Sequence, residues 1–305
     1  MIKLFFERLG LAWTWHRKVV SWRGMHSPFL FGLGEAWYRT GGRSREGHRP
    51  DVEALRRDWS RDATGWTMAE WGSGSVRAGG GAAKAESGGE GGGRRVAVRV
   101  RDRIRWSTAP ARQARELAAL ARWIRAEHVL ELGTNLGLTT AYLAGDGRRV
   151  LTVEGDARLA GWAAAGWRQT DSEGRIEGVV ARFEEVVPGW CAARGGSGSA
   201  GTGAEPWDLV FVDGDHRSEA VHRWVDAVAP ALRANRGGDR PSAVVVDDIR
   251  WNADMWAAWN RLAAEDRWDF VIDRGAYGVL VRHPGVRHPT VRVALGDGIR
   301  WDRFC

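Results

Sequence analysis

The stretch Val129-Leu130-Glu131-Leu132-Gly133-Thr134-Asn135-Leu136-Gly137 is a short apolar run that ends in a carboxylate and breaks into a turn with two glycines. A helical pattern follows at once, through Leu138, Ala141, Tyr142, Leu143 and Ala144. Glycine is needed where a backbone bends sharply and must let a ligand lie against it with no Cβ in the way. In open α/β sheets, ligands bind outside the carboxyl ends of the strands, over a helix start. A dinucleotide fingerprint would read G-x-G-x-x-G, with the pyrophosphate on the helix N-terminus. Here the pattern is E-x-G-x-x-x-G, with Glu131 pointing into the crevice. That carboxylate would repel a pyrophosphate and suits a ligand carrying an ammonium group.

The next apolar run, Val150 to Val153, ends in a second acid, Glu154. An acid at the end of the second strand, about 20 residues on, is where a ribose diol is held by a bidentate hydrogen bond. An ammonium and a ribose together describe S-adenosylmethionine. The expected cofactor contacts are Glu131, Gly133, Thr134, Asn135, Gly137, Glu154 and Gly155, with Asp213 facing the same ligand. The alternative for Glu154 is a solvated acid at a strand end.

A chain of 305 residues with 44% apolar content can bury a substantial core in one large or two small domains. The net charge of +7 is weak evidence for nucleic acid. Of the 45 basic residues only Lys3, Lys18 and Lys84 are lysine, and 38 acids are interleaved with the arginines. That pattern is a mixed, solvated surface. No basic block with interleaved aromatics marks a nucleic-acid groove. Cys191 and Cys305 form no metal-type or disulfide spacing, which fits a reducing cytoplasm. Glu7, Arg8, His16, Arg17 and Lys18 interrupt the apolar N-terminus, so it reads as an amphipathic helix and neither a membrane span nor a signal peptide.

Four regions follow from the patterning. Residues 1–70 read as a helical extension. Residues 71–106 read as a Gly-rich flexible linker, because Gly72 to Arg95 is too poor in apolar residues to fold. Residues 107–283 alternate helices with strands near 129–132, 150–154, 176–181, 208–213 and 243–248, which predicts a parallel, doubly wound α/β sheet. Helices are expected at Ala109 to Ala126, Ser218 to Leu232 and Ala253 to Ala264. Trp268 to Asp273 and Tyr277 to Val281 read as a terminal antiparallel hairpin, and Gly195 to Gly203 as a surface insertion. The tail, residues 284–305, has no predicted place.

The fourth and fifth strands end in clustered acids, Asp213-Gly214-Asp215-His216 and Asp247-Asp248. Carboxylates converging at one edge repel unless something positive lies between them. A hard divalent ion such as Mg²⁺, held by Asp213, Asp247 and Asp248, is one solution; it would orient and deprotonate a hydroxyl substrate as a Lewis acid. The other is that Asp213 faces the cofactor while Asp247 or Asp248 caps the next helix. His216 is placed to act as general base, or is an ordinary loop histidine. Trp251 and Asn252 are expected to wall a substrate pocket.

With these motifs in place the chain resembles the class I S-adenosylmethionine-dependent methyltransferases. It is similar to a bacterial group that shares Gly24-Met25-His26-Ser27-Pro28-Phe29-Leu30-Phe31, Trp71-Gly72-Ser73-Gly74-Ser75, the segment 130–143, Asp213 to Ala220 and Asp247 to Trp251. A wider resemblance, to catechol and caffeoyl-CoA type O-methyltransferases, implies that Asp213, Asp247 and Asp248 match metal-ligand positions. Asp248 stands where those enzymes have Asn, and His216 near their catalytic Lys. Ala181-Arg182-Phe183 departs from the acid or amide common at the adenine edge. The resemblance implies a Rossmann-like sheet, mostly parallel with a terminal hairpin, and methyl transfer to a small hydroxylated molecule, with Asp213 and His216 as catalytic residues. Other readings stay open: a non-catalytic S-adenosylmethionine-binding protein, or a metal-independent methyltransferase with a different acceptor. An NAD-type oxidoreductase is disfavoured by Glu131. The expected partner is a small-molecule acceptor; the oligomeric state is open, a homodimer included.

Overall fold

The computed structural model describes residues 10, 13–41, 46–70, 94–195, 204–236, 239–286 and 290–296. Its centre is a nine-stranded sheet. In chain order the strands are β1 (Val19–Ser21), β4 (His128–Leu132), β5 (Arg149–Glu154), β6 (Ile176–Val180), β7 (Leu209–Val212), β8 (Ser242–Val246), β9 (Phe270–Asp273), β10 (Gly278–Arg282) and β11 (Val291–Gly296); β2 (Gly65–Glu70) and β3 (Arg94–Arg99) pair separately. Across the sheet the order is β1-β11-β9-β10-β8-β7-β4-β5-β6. The five strands from β8 to β6 run parallel, and β10 is antiparallel to both neighbours. This is the predicted Rossmann-like sheet with its terminal hairpin.

The central strands are continuous apolar runs because both faces are covered. Residues alternate between the faces: Leu130, Val210 and Val244 join one core with the helices Phe183–Gly195, Ser218–Val228 and Ala253–Ala264. Val129, Leu209, Phe211 and Val245 join the opposite core with the helices Pro28–Arg39 and Ala111–Trp123. Side-chain caps mark the helix starts: Asp156 accepts from the backbone N–H of Arg158 and Leu159, and Asn252 from that of Met255.

Residues 1–70 do not form the expected all-helical extension. The helices Pro28–Arg39 and Pro50–Trp59 are present, but Val19–Ser21 is a sheet strand and Gly65–Glu70 pairs antiparallel with Arg94–Arg99. The Gly-rich stretch 71–93, with the Trp71 to Ser75 element, lies outside the described residues, as does 196–203. The predicted linker is too long at its C-terminal side, because residues 94–106 form β3 and the helix Val100–Trp106. Val98 and Val100 are buried there with Trp66 and Met68. The tail also has a place: Val291–Gly296 runs parallel to β9 on one side and β1 on the other.

The His-Ser-Pro-Phe segment begins a helix and docks it. Ser27 caps the N-terminus by accepting from the N–H of Leu30, Pro28 fits the first turn, and Phe29 stacks on Phe270 of β9 with ring centroids 4.8 Å apart. The far end of that helix is tied by a buried polar cluster. The Trp37 indole donates to the Glu116 carbonyl, while the Glu116 carboxylate accepts from Arg112 (3.0 Å) and the Tyr277 hydroxyl (2.9 Å) and pairs with Arg274 at 3.1 Å.

Candidate active site

The carboxyl ends of β4, β5, β7 and β8 bring Glu131, Glu154, Asp213, Asp247 and Asp248 to one edge of the sheet, as the motif spacing predicts. After β4 the chain leaves through Gly133 (φ +104°), Asn135 (φ 51°) and Gly137 (φ +70°), three left-handed positions within five residues. Gly133 is required here by a neighbouring strand: a Cβ on it would come within 2.2 Å of the Asp213 carbonyl oxygen. Gly137 packs against the helix Ala157–Gln169, where a Cβ would meet the Trp167 Nε1 at 2.6 Å, and Trp167 donates to the Gly137 carbonyl. Both glycines therefore serve close contacts within the protein, where the sequence suggested a ligand.

Several expected cofactor side chains are turned to the protein. Glu131 is fully buried: one oxygen accepts from the hydroxyls of Thr140 (2.5 Å) and Thr152 (2.7 Å), and the other, Oε1, has no hydrogen-bond partner. Burial pushes its pKa up to about 7 despite the two hydroxyl bonds, with the nearby Glu154 adding to the rise. Thr134 shares a hydrogen bond with the Thr152 hydroxyl. The Asn135 side chain bonds to the Arg103 Nε, the Ser107 carbonyl and the Thr108 hydroxyl.

Glu154 ends β5, at the place where the sequence expects a ribose acid. Its oxygens accept from the backbone N–H of Asn135 (2.8 Å) and Asp156 (3.0 Å), which fixes the carboxylate beside the β4 turn. Burial raises its pKa, opposed by those N–H groups and by Arg103. Each carboxylate oxygen has two lone pairs, so one bond per oxygen leaves acceptor capacity for a diol. Gly155 lies between Glu154 and the Asp156 helix cap.

At the acceptor end His216 sits between two acids, its Nε2 4.0 Å from Asp213 Oδ1 and 3.7 Å from Asp248 Oδ2. The Trp251 ring lies 5.9 Å from the imidazole, tilted by 30°. Asn252, expected at the pocket wall, is the helix cap already described. Desolvation raises the Asp213 pKa well above the carboxylate range, with Asp247, Asp248 and Glu131 adding to the rise. Asp247 is pushed up to about 8 by burial and by Asp248, against a 2.7 Å hydrogen bond from Gln113. Asp248 takes a left-handed backbone (φ 50°), which Asp tolerates better than most residues.

The expected metal triad does not assemble. Among the described residues no three His, Cys, Asp or Glu side chains gather closely enough to hold a metal ion. Asp247 is turned to Gln113 and Asp248 to His216. The Gln113 amide donates to Asp247, and the His216 imidazole lies between Asp213 and Asp248. Gln113 and Arg103 were not singled out by the sequence. Both lie N-terminal to the nucleotide-type motif, and Arg103 falls inside the predicted linker.

Residues 130–249 match the family model described as a methyltransferase domain. A catechol O-methyltransferase from Mycobacterium tuberculosis is 29% identical over 198 residues, 64% of this chain and 77% of that protein. Among solved structures, the O-methyltransferase TomG of Streptomyces achromogenes, involved in tomaymycin synthesis, is 20% identical, with a TM-score of 0.47 over 59% of this chain and 83% of its own. Cofactor-bound Rv0187 from MTB is 22% identical, with a TM-score of 0.48 over 85% of this chain and 99% of its own. Among the described residues no helix is long and apolar enough to cross a membrane. The matched segment spans β4 through the Asp247-Asp248 pair, the same stretch that carries both acid clusters, so the similarity to methyltransferase domains falls on the strand edge described above.

Proposed function

We propose that the protein transfers the methyl group of S-adenosylmethionine to a hydroxyl oxygen of a small, flat acceptor, with His216 as the general base. The observation that carries the reading is the His216 imidazole between Asp213 and Asp248, on the same strand edge as Glu154. Glu154 holds the ribose hydroxyls, and the β4 turn with Asp213 lies along the amino-acid end of the cofactor. Trp251 offers an apolar face for an aromatic ring beside the base. The M. tuberculosis relative is a catechol O-methyltransferase, which supports a hydroxylated aromatic as the acceptor class.

In this mechanism the acceptor O–H gives its proton to His216 as an oxygen lone pair attacks the methyl carbon. The carbon–sulfur bond breaks, its electron pair returns to sulfur, and the neutral thioether S-adenosylhomocysteine leaves. Asp248, 3.7 Å from Nε2, offers a carboxylate to the imidazolium formed in that step. Positioning supplies most of the acceleration, since an in-line transfer from a sulfonium needs aligned partners above all. No step is routed through a metal, because the acids do not converge as ligands. We place the reaction in the cytoplasm, in keeping with the free, buried thiol of Cys191.

The test is turnover with methyl-labelled cofactor against a panel of catechols, phenols and aliphatic alcohols. His216→Ala should lower kcat by about 10²- to 10⁴-fold while leaving the Kd for S-adenosylhomocysteine unchanged. Label found on nitrogen acceptors alone, or full turnover in the variant, would overturn the reading.

A further inference from the structure

We propose that the outer face of the helix Pro28–Arg39, with the aromatic and basic side chains beside it, binds the surface of an anionic lipid bilayer. The proposal is independent of the methyl-transfer reading.

This helix has two unlike faces. Leu30, Leu33 and Trp37 are buried in the core shared with the helix Ala111–Trp123. Phe31 and Tyr38, two turns apart on the other side, are 40% and 49% exposed. The patch continues on both flanks. Trp22 lies against both rings, its centroid 5.2 Å from that of Phe31 and 5.8 Å from that of Tyr38. Trp123, also exposed, lies over Gly32, where a Cβ would come within 2.2 Å of the indole. Trp13 and Val20 are exposed in the same N-terminal stretch. Among the described residues the one other large apolar side chain so exposed is Val180, on β6 at the opposite edge of the sheet. Scattered exposed apolar residues are ordinary, but a contiguous aromatic group marks an interaction surface.

The charge of the patch selects its partner. From Trp13 to Gly41 the basic side chains are Arg17, Lys18, Arg23 and Arg39, all exposed, and the acid is Glu35 alone. Glu35 is paired with Arg39 at 2.7 Å, which leaves Arg17, Lys18 and Arg23 with no acid in this stretch. The Arg23 guanidinium lies over the rings of Trp22 and Tyr38, 4.5 and 4.7 Å from their centroids, so cation and aromatic surface form one unit. That combination suits a bilayer interface, where Trp and Tyr rings sit at the headgroup level and cations meet lipid phosphates. A second copy of the chain fits less well, because a two-fold interface would set a positive patch against itself. A nucleic acid would need a track of phosphate contacts, and here the aromatic groups outnumber the free cations.

The test is co-sedimentation of the full-length protein with sucrose-loaded vesicles at low salt. Wild type should pellet with vesicles of phosphatidylglycerol and phosphatidylcholine, and bind phosphatidylcholine vesicles at least about tenfold more weakly. Arg17→Gln combined with Lys18→Gln should weaken anionic binding about 25-fold, or about fivefold for each charge. Phe31→Ser combined with Tyr38→Ser should weaken it about tenfold. The basic pair touches no packed group, so its result stands even if the aromatic pair lowers the melting temperature. Absence of wild-type pelleting, equal binding to both vesicle types, or unchanged binding in the basic pair would overturn the proposal. So would a wild-type dimer that the aromatic pair splits, which assigns the patch to a second copy. Tighter binding to a DNA duplex than to vesicles, lost in the basic pair, would overturn it in favour of nucleic acid.

Discussion

Gly133 lies against the carbonyl oxygen of Asp213, so close that a Cβ would sit 2.2 Å from it. The turn after β4 and the end of β7 are therefore fitted to each other through backbone, and that turn cannot shift without moving Asp213. Gly133→Ala should be destabilising twice over, by this clash and by a φ of +104° that an L side chain resists. We expect a loss of about 2–4 kcal/mol in chemical denaturation, with S-adenosylhomocysteine binding weakened in parallel. A variant of wild-type stability and affinity would contradict the fit.

Glu131 makes stability depend on pH in a specific sense. Burial disfavours the anion and pushes its pKa in the folded protein up to about 7, from an ordinary value of 4.5. Between those values the unfolded chain has lost the proton that the folded chain retains, so the stabilising contribution is complete below pH 4.5 and is lost as pH rises to 7. The span corresponds to about 3 kcal/mol for a fully buried group. Glu131→Gln removes this titration, and its stability relative to wild type should rise across that window. A constant difference from pH 4.5 to 7.5 would refute the assignment.

The buried cluster around Glu116 predicts a cost without any catalytic contact. Glu116→Gln keeps the shape but leaves the buried Arg274 facing a neutral partner. Removing one charge from such a pair costs about 3–5 kcal/mol. Because Trp37 reports on this junction, its fluorescence should change in the variant at low denaturant. A cost below about 1 kcal/mol would place the pair among weakly coupled ones.

Metal dependence separates the mechanism proposed above from the catechol-type resemblance. With Asp247 bonded to Gln113 and Asp248 facing His216, excess chelator should leave turnover within about twofold of the untreated enzyme. Loss of turnover that added Mg²⁺ restores would mean that the acids rearrange around an ion during the reaction.

The parts of the fold legible in the sequence are those whose signals are local. Strands β4, β5, β7 and β8 are unbroken apolar runs flanked by turn residues, and each appears within about two residues of its expected place. Strands β2 and β3 carry only period-two patterns, Trp66 with Met68 and Val96 with Val98, on either side of a long Gly-rich stretch. Pairing across such a separation has no local mark. The acids at the strand ends were visible, but their environments were not. Whether Glu131 meets a ligand or two threonines depends on Thr140 and Thr152, which the fold brings together from a helix and the adjacent strand. Arg103 was hidden for the same reason, since its partner Asn135 lies beyond the helix Ala111–Trp123.

The pairing of β1 with β11 also sets an order in time. Val19 pairs with Ala294 from the far side of the sequence, and contacts so distant in sequence carry a large loop-closure cost before they are rewarded. Until β11 arrives, the nascent chain has no neighbour for β1, and the surface of Trp15 that finally rests against Gly296 has none there either. The parallel strands β8 to β6 pair among themselves without β1 or β11. A chain that stops short of residue 291 would leave β1 without its strand partner, an unpaired border of the kind that chaperones cover.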